Sequence, residues 1–546
     1  MCGITAFFGD RTVANLDTYF KRGSKRGPEN YTYECNQDVH MGFHRLAING
    51  LNQESSQPLH YKNYVMVCNG EIYNYKELIE RFHFKMDTQS DCEVVLRLYE
   101  LLKEKCLHEL DGEFAFVIHD VSNNHIFAAR DPYGVRPLYI NEVQNSFCLS
   151  SDLSPMKFLP MLEVKQYPPG HYSLFQQNLL GYTQETFRYH TLGNPTIPLV
   201  YQPILSSVPA IWKSMGNTSP LWFVYASLYT AVRKRVLNTE RPVACLLSGG
   251  LDSSLVAAIA ARICRQEGKQ LETYSIGLPG SEDLKFSSKV AEHIGSKHTQ
   301  LVCTEDDFFN SIPQVIRDIE SYDTTTVRAS VGNWNIGKYI RENSQAKVVL
   351  NGDGADEVMG GYLYFHACPD EDAFDKECRR LLHTISYFDV LRSDKSIASH
   401  GLEPRTPYLD KAFVEAYLAL PISIRYHKGH MEKYVIRSII EWMDPALIPH
   451  DILFRKKEAF SDGVSSLEKS WYQTIQERIP LSESTLNYDF NIPTTDEQKY
   501  YRDVFRKYHK DCDHLVPYFW MPKFVVATDA SARTLSQYKN TNALDK

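Results

Sequence analysis

Residues 242–303 constrain the fold more tightly than any other stretch of the chain. The apolar run PVACLL is followed at once by SGGLDSS and then by SSLVAAIAARICRQEG, whose apolar positions recur at helical spacing. The pattern repeats as LETYSIGL, LKFSSKVAEHIG and HTQLV, and AKVVL follows further along. Short apolar strands separated by helices of this length pair in parallel, which predicts a doubly wound α/β sheet. Such sheets collect ligands outside the carboxyl ends of their strands. Three polar turns stand at those ends: 248–254 after CLL, 277–283 after YSI and 351–357 after KVVL.

The chemistry of two turns follows from their residue types. In SGGLDSS, Gly249 and Gly250 let the backbone come close to a ligand, and the helix N-terminus behind them favours an anion. The turn suits a phosphate, although Ser248 could equally serve as an ordinary helix cap. No G-x-x-x-x-G-K-[ST] loop is present, which makes simple γ-phosphate hydrolysis the less favoured chemistry. The second turn, NGDGADE, carries Asp353, Asp356 and Glu357, and Asp252 can join them from the first. So many acids face a phosphate only across a divalent cation, which implies Mg²⁺.

Residues 1 to about 190 read differently. GITAFFGD, YVMVCNG, FAFVIHD, HIFAARD and FCLSSD are short strands, with helices at YKELIERF and CEVVLRLYELLKEK. Four prolines between 193 and 210 (Pro195, Pro198, Pro203 and Pro209) mark an extended linker. The expected units are therefore 2–192, a linker 193–210, and 211–546, the last becoming largely helical. The balance of 59 basic against 67 acidic residues, net −8, with no basic block, does not favour nucleic-acid binding. Twelve cysteines without a C-x-x-C pair point to reduced thiols rather than a zinc ribbon or a disulfide framework. With no signal-like N-terminus and no apolar run of membrane-spanning length, the expectation is a soluble cytoplasmic protein.

The chain opens MCGITAFFGD. Removal of Met1 would leave Cys2 with a thiol and a free amine on one residue, and a terminal amine titrates low enough to act as base for its own nucleophile.

Taken in order, these motifs resemble a known family over nearly the whole chain. MCGI, HRLAI, NGEIYN and SDCEVV resemble class II glutamine amidotransferases, N-terminal nucleophile hydrolases of αββα architecture. SGGLDSS resembles the pyrophosphate loop of ATP pyrophosphatases. IGLPGSEDL, ESYDTTTVRAS, GDGADEVMGGYLYFH, GLEPRTPYLD, RKKEAFSDGV and DASARTLSQY are similar, in that order, to glutamine-hydrolysing asparagine synthetases. The resemblance implies that Cys2 attacks glutamine, that Asn69 and the Gly70 amide form the oxyanion hole, and that Arg45, Ile48, Glu71 and Asp91 bind the substrate. It implies ATP and pyrophosphate binding by Leu247, Ser248, Gly249, Gly250, Asp252, Ser253, Ile276 and Gly352, Mg²⁺ at Asp252 and Asp356, and transition-state stabilisation by Lys457. Thr325, Thr326, Arg328, Asp353, Asp389 and Arg392 are implied to handle aspartate or its adenylate. It further implies an internal ammonia tunnel and a homodimer. One position departs from the family: Asp353 stands where a glutamate is usual, as in relatives that amidate other acceptors, and an acceptor other than aspartate stays open on that ground.

Overall fold

A computed structural model describes residues 2–9, 15–178, 181–192, 220–480, 488–536 and 538. The linker expected at 193–210 lies outside the described residues. Among the described residues the first half contains twelve strands: β1 (Gly3–Phe8), β2 (Asn30–Asn36), β3 (Val39–Arg45), β4 (Leu59–Tyr61), β5 (Tyr64–Ile72), β6 (Gly112–Asp120), β7 (His125–Arg130), β8 (Tyr139–Val143), β9 (Ser146–Ser150), β10 (Lys165–Gln166), β11 (His171–Asn178) and β12 (Gly181–Arg188). They form two six-stranded sheets, ordered β10-β8-β9-β1-β3-β2 and β12-β11-β7-β6-β5-β4, whose strands pair antiparallel.

Alternation along the strands explains the layering. Ile4, Ala6 and Phe8 of β1 pack with Val65 and Val67 of β5 and Val117 of β6 between the sheets. The other face of the second sheet, Met66, Cys68 and Phe116, is covered by Leu78 of the helix Tyr75–Phe82 and Val94 and Leu98 of the helix Glu93–Leu102. Phe7 and Cys148, on the far face of the first sheet, pack with Leu16 and Phe20 of the short helix Leu16–Phe20. The result is an αββα sandwich. Asn69-Gly70, which in isolation reads as readily as a hairpin turn, lies inside β5, opposite Ala115 and Phe114 of β6. A Cβ on Gly70 would sit 2.5 Å from the Glu113 carbonyl, so only glycine permits that approach.

The second half holds a five-stranded parallel sheet, β13 (Val243–Leu246), β14 (Glu272–Gly277), β15 (Lys297–Val302), β16 (Val348–Leu350) and β17 (Glu403–Arg405), in the order β15-β14-β13-β16-β17. From β13 the chain winds outward through β14 to β15, then crosses to the other side for β16. The switch point is therefore between β13 and β16, where the turns 248–254 and 351–357 emerge side by side. β17 is absent from the sequence reading, because Glu403-Pro404-Arg405 carries two charges and a proline. As an edge strand it tolerates the proline, and its charges are paired and buried.

The two halves meet across buried ion pairs. Arg235 bridges Glu113 at 2.8 Å and Asp410 at 2.6 Å, Arg136 reaches Glu113 at 3.0 Å, and Arg405 reaches Glu71 at 3.2 Å. Each arginine is at most 1% exposed. Removing one partner of such a pair leaves an uncompensated buried charge, so the contacts fix one arrangement of the halves.

Candidate active site

The first site forms around the start of β1. The Cys2 thiol donates to the Leu46 carbonyl at 3.6 Å, in the loop that follows Arg45 at the end of β3 and carries Ile48. Arg26 Nε donates to the Cys2 carbonyl at 3.1 Å. Ser151 Oγ accepts from the Ile4 amide at 3.2 Å and from Asn69 Nδ2 at 3.5 Å, which sets the Asn69 side chain against the chain start. Burial pushes the thiol up to about 11, so it needs a base to react near neutrality.

Around Cys2 the charged side chains are held by hydrogen bonds. Arg45 Nη2 donates to the carbonyls of Gly50 (2.6 Å) and Asn52 (2.7 Å). Asp91 does not cap the helix behind it; its Oδ2 accepts from the Ile72 amide at 2.7 Å. Burial pushes Asp91 up to about 6 against that bond. Glu71 accepts from Asn49 (2.8 Å) and Asn238 (3.2 Å) beside Arg405. Burial and the nearby charges of Asp91 and Glu403 raise it well above the usual carboxylate range.

The second site is a cavity of about 170 Å³ at the switch point of the parallel sheet. Leu247, Ser248, Gly250, Asp252, Ser253, Ile276 and Gly352 line it, as do Thr325, Asp353, Asp356, Asp389, Arg392 and Lys457. Ser248 does not cap the helix Leu251–Gln266, whose N-cap is Gly250 and whose first turn has no side-chain cap. The Ser248 hydroxyl instead lies 2.9 Å from Ser253 Oγ and accepts from the Gly250 amide at 3.3 Å. Uncapped amides at a helix N-terminus are what an anion requires. Gly249, at φ +73°, is outside the lining; a Cβ there would meet the Phe286 and Ser287 backbone at 2.5 Å. A Cβ on Gly352 would lie 2.9 Å from the Ser253 amide, so the two turns touch and glycine allows it.

Four of the charged side chains that line the cavity form one cluster. Lys433 Nζ lies 2.5 Å from Asp252 Oδ2 and 2.5 Å from Asp356 Oδ1, and Lys457 Nζ lies 2.6 Å from Asp356 Oδ2. Burial would push the Asp356 carboxyl up, but the two lysines hold it far below its ordinary range. Asp252 Oδ1 is buried with no hydrogen-bond partner among the described residues. Arg392 bridges Asp389 at 2.7 Å and Asp353 at 3.1 Å and keeps a buried Nε without an acceptor among them.

Two expected positions lie elsewhere. Thr326 is drawn away from the cavity by Asp323, which takes both its amide (2.9 Å) and its hydroxyl (2.8 Å) as N-cap of the helix Thr324–Asn343. Arg328, two residues further along, faces Glu497 and Asp529, with bonds of 2.8 Å and 2.7 Å, and is 3% exposed. Conversely, Lys433 lines the cavity and no motif pointed to it. Its backbone is a signal that only the structure gives: φ is +58°, a conformation that costs a non-glycine residue energy and clusters at functional sites. Arg455, which donates to the Ser248 carbonyl at 3.3 Å and to Asp283 at 3.1 Å, is likewise new.

The two sites fall within two family matches: a glutamine amidotransferase domain over residues 1–190, and asparagine synthase over 224–372 and 366–516. "Asparagine synthetase [glutamine-hydrolyzing]" of Homo sapiens is 38% identical over 566 residues, covering 99% of each chain. The chain belongs to this family. The same-named proteins of Rattus norvegicus and Gallus gallus are each 38% identical over 99% of this chain, covering 100% and 99% of their own. Among solved structures, a glutamine phosphoribosylpyrophosphate amidotransferase from B. subtilis covers 55% of this chain and 91% of its own at 16% identity and a TM-score of 0.32. Within the synthetase family's pattern, Cys2, Arg45, Asn69 and Asp91 lie in the amidotransferase match, and Asp252, Asp356 and Lys457 in the synthase match.

Proposed function

We propose that the chain makes asparagine from aspartate, taking nitrogen from glutamine and driving the reaction by cleavage of ATP to AMP and pyrophosphate. The observation that carries this reading is the convergence of Asp252, Asp356, Lys433 and Lys457 on an uncapped helix N-terminus at the switch point, in a chain of this family.

In the first half-reaction, Met1 is removed and the Cys2 amine takes the thiol proton. The thiolate adds to the glutamine side-chain carbonyl carbon, and Asn69 Nδ2 and the Gly70 amide hold the oxyanion. The proton returns to the departing ammonia, and water hydrolyses the thioester to glutamate. Arg45 grips the α-carboxylate, Ile48 packs on the substrate, and Asp91 and Glu71 face its α-ammonium.

The ammonium contact has a pH signature. An Asp91 carboxyl pushed up to about 6 by burial is ionised at neutral pH and neutral in acid. The KM for glutamine should therefore be flat above about pH 7 and rise about tenfold per unit below about pH 6. Asp91→Asn should raise KM throughout and flatten that rise. A wild-type KM that stays constant through the acid range would remove Asp91 from the ammonium site.

In the second half-reaction Ser248, Gly250 and Ser253 receive the β- and γ-phosphates, and Gly249 shapes the turn that presents them. Leu247, Ile276 and Gly352 flank the adenosine. The aspartate side-chain carboxylate attacks the α-phosphorus, pyrophosphate leaves, and ammonia then displaces AMP from the acyl carbon. Lys457 sits where negative charge builds on the α-phosphoryl oxygens. Arg392, with Asp353, Asp389 and Thr325, holds aspartate and the adenylate.

Asp252 and Asp356 suit Mg²⁺: both are half-buried carboxylates that line the cavity, and Asp252 has an orphaned oxygen. Among the described residues no group of three or more His, Cys, Asp or Glu could hold a metal, so phosphate oxygens and water would supply the other ligands. When bound, the cation neutralises charge on the leaving pyrophosphate. Ammonia passes between the sites inside the protein. We place the enzyme in the cytoplasm as a homodimer; all twelve cysteines are free, as a reducing compartment keeps them.

Aspartate is the favoured acceptor despite Asp353. If its shorter carboxylate acts through Arg392, Asp353→Ala should reduce synthesis by about 10²-fold, the cost of misplacing a group by about 1 Å. Asp353→Glu should keep aspartate as acceptor. The assay follows labelled aspartate with AMP and pyrophosphate in parallel. Pyrophosphate release with another carboxylic acid, and none with aspartate, would replace this reading by the alternative-acceptor one.

A further inference from the structure

The C-terminal run that begins DASARTLSQY lies beyond the asparagine synthase match, which ends at 516. Its contacts nevertheless lead to the loop that carries Lys457. Residues 455–459 have no helix or strand of their own, so their side chains must find their order elsewhere. Lys457 points to Asp356, while its two neighbours are tied to the tail. Lys456 Nζ donates to the Tyr538 carbonyl at 2.7 Å and lies 4.0 Å from the centre of its ring. The Tyr538 hydroxyl donates to Glu458 Oε1, and Arg533 Nε approaches Glu458 Oε2 at 3.4 Å.

Further anchors hold the tail itself. Ser531 Oγ and the Ala532 amide donate to the Asp462 carboxylate at 2.7 and 3.1 Å, just past the same loop. Arg533 Nη1 donates to the Ser466 carbonyl at 2.6 Å. Asp529 receives Arg328 Nη1 at 2.7 Å and Nη2 at 2.8 Å. Arg328 is thus an anchor for the tail rather than a contact for the intermediate.

We propose that the C-terminal segment, through Tyr538 and Arg533, is a strap that positions Lys457 for its work in the synthetase site. The proposal rests on the reading of Lys457 given above. A lysine stem has four rotatable bonds and a loop without backbone pairing adds more freedom, so fixing both flanking residues removes much of the disorder that would blur its charge. Tyr538 is a positioning residue: it touches Lys456 and Glu458 and acts through them.

A double-mutant cycle on the full chain tests this, with ammonia-driven synthesis and glutamine hydrolysis measured separately. Tyr538→Phe, which removes only the hydroxyl, should lower kcat for synthesis about tenfold, leave glutamine hydrolysis unchanged, and leave KM for aspartate within about twofold. In a Lys457→Ala background the same change should cost nothing more, because the group being positioned is gone. Arg533→Ala should behave in the same way. Wild-type kcat in Tyr538→Phe, or an equal loss in both backgrounds, would overturn the strap. Full synthesis by Lys457→Ala alone would instead show that the reading of Lys457 itself had failed, and the strap with it.

Discussion

Replacing Cys2 with alanine is expected to abolish glutamine hydrolysis and to leave ammonia-driven asparagine synthesis intact. In the proposed first half-reaction the Cys2 thiol is the side chain that bonds to glutamine, and losing a covalent nucleophile should cost about 10³-fold or more. The lining of the synthetase cavity includes neither Cys2 nor its hydrogen-bond partners Leu46 and Arg26. Ammonium supplied in solution should therefore restore synthesis to the wild-type ammonia-driven rate. Intact-mass measurement belongs with this experiment, since active protein should lack Met1. Loss of both activities would show that Cys2 supports the fold across the interface, and full activity in protein that retains Met1 would refute the terminal amine as base.

Asp356→Asn is expected to have the opposite pattern, with glutamine hydrolysis kept and synthesis reduced by about 10²- to 10³-fold. The substitution removes the carboxylate that pairs both Lys433 and Lys457, which leaves them Asp252 alone, at 2.5 and 3.8 Å, as shared counter-charge. It also removes one of the two carboxylates available to Mg²⁺. The two effects separate by titration: a lost metal contact raises the Mg²⁺ concentration needed for half-maximal rate, whereas a misplaced Lys457 lowers the rate at every concentration. Near wild-type synthesis at limiting Mg²⁺ would exclude Asp356 as a metal ligand. Asp252, whose free oxygen faces the same cavity, should show the larger metal effect and the smaller lysine effect when changed to Asn.

What could be read in advance, and what could not, follows from the range of the forces involved. Four strands of the parallel sheet and the turns that carry Ser248, Asp252 and Asp356 are local in sequence, because hydrophobic periodicity and glycine requirements act over a few residues. β17 escaped because its burial depends on partners far away: Arg405 is balanced by Glu71 and by backbone carbonyls of Arg235 and Asn238. Lys433 escaped for the same reason. It is a single lysine in GHMEKYV, and its two carboxylates come from turns 181 and 77 positions earlier in the chain. Arg328 and Thr326 were carried over by motif and sit on the right helix, but a helix turns about 100° per residue. Thr325 thus faces the cavity while its neighbour binds Asp323 and Arg328 faces Asp529.

The central claim is that one chain moves the amide nitrogen of glutamine onto aspartate. Purified protein given glutamine labelled with ¹⁵N in its side-chain amide, unlabelled ammonium, aspartate, ATP and Mg²⁺ tests it most directly. Nitrogen released at Cys2 and carried inside the protein should appear in the asparagine side chain at a higher ¹⁵N fraction than in the bulk ammonium, with AMP and pyrophosphate formed one for one with asparagine. Asparagine labelled only to the level of the bulk pool would contradict internal transfer, and pyrophosphate without asparagine would contradict the reaction itself.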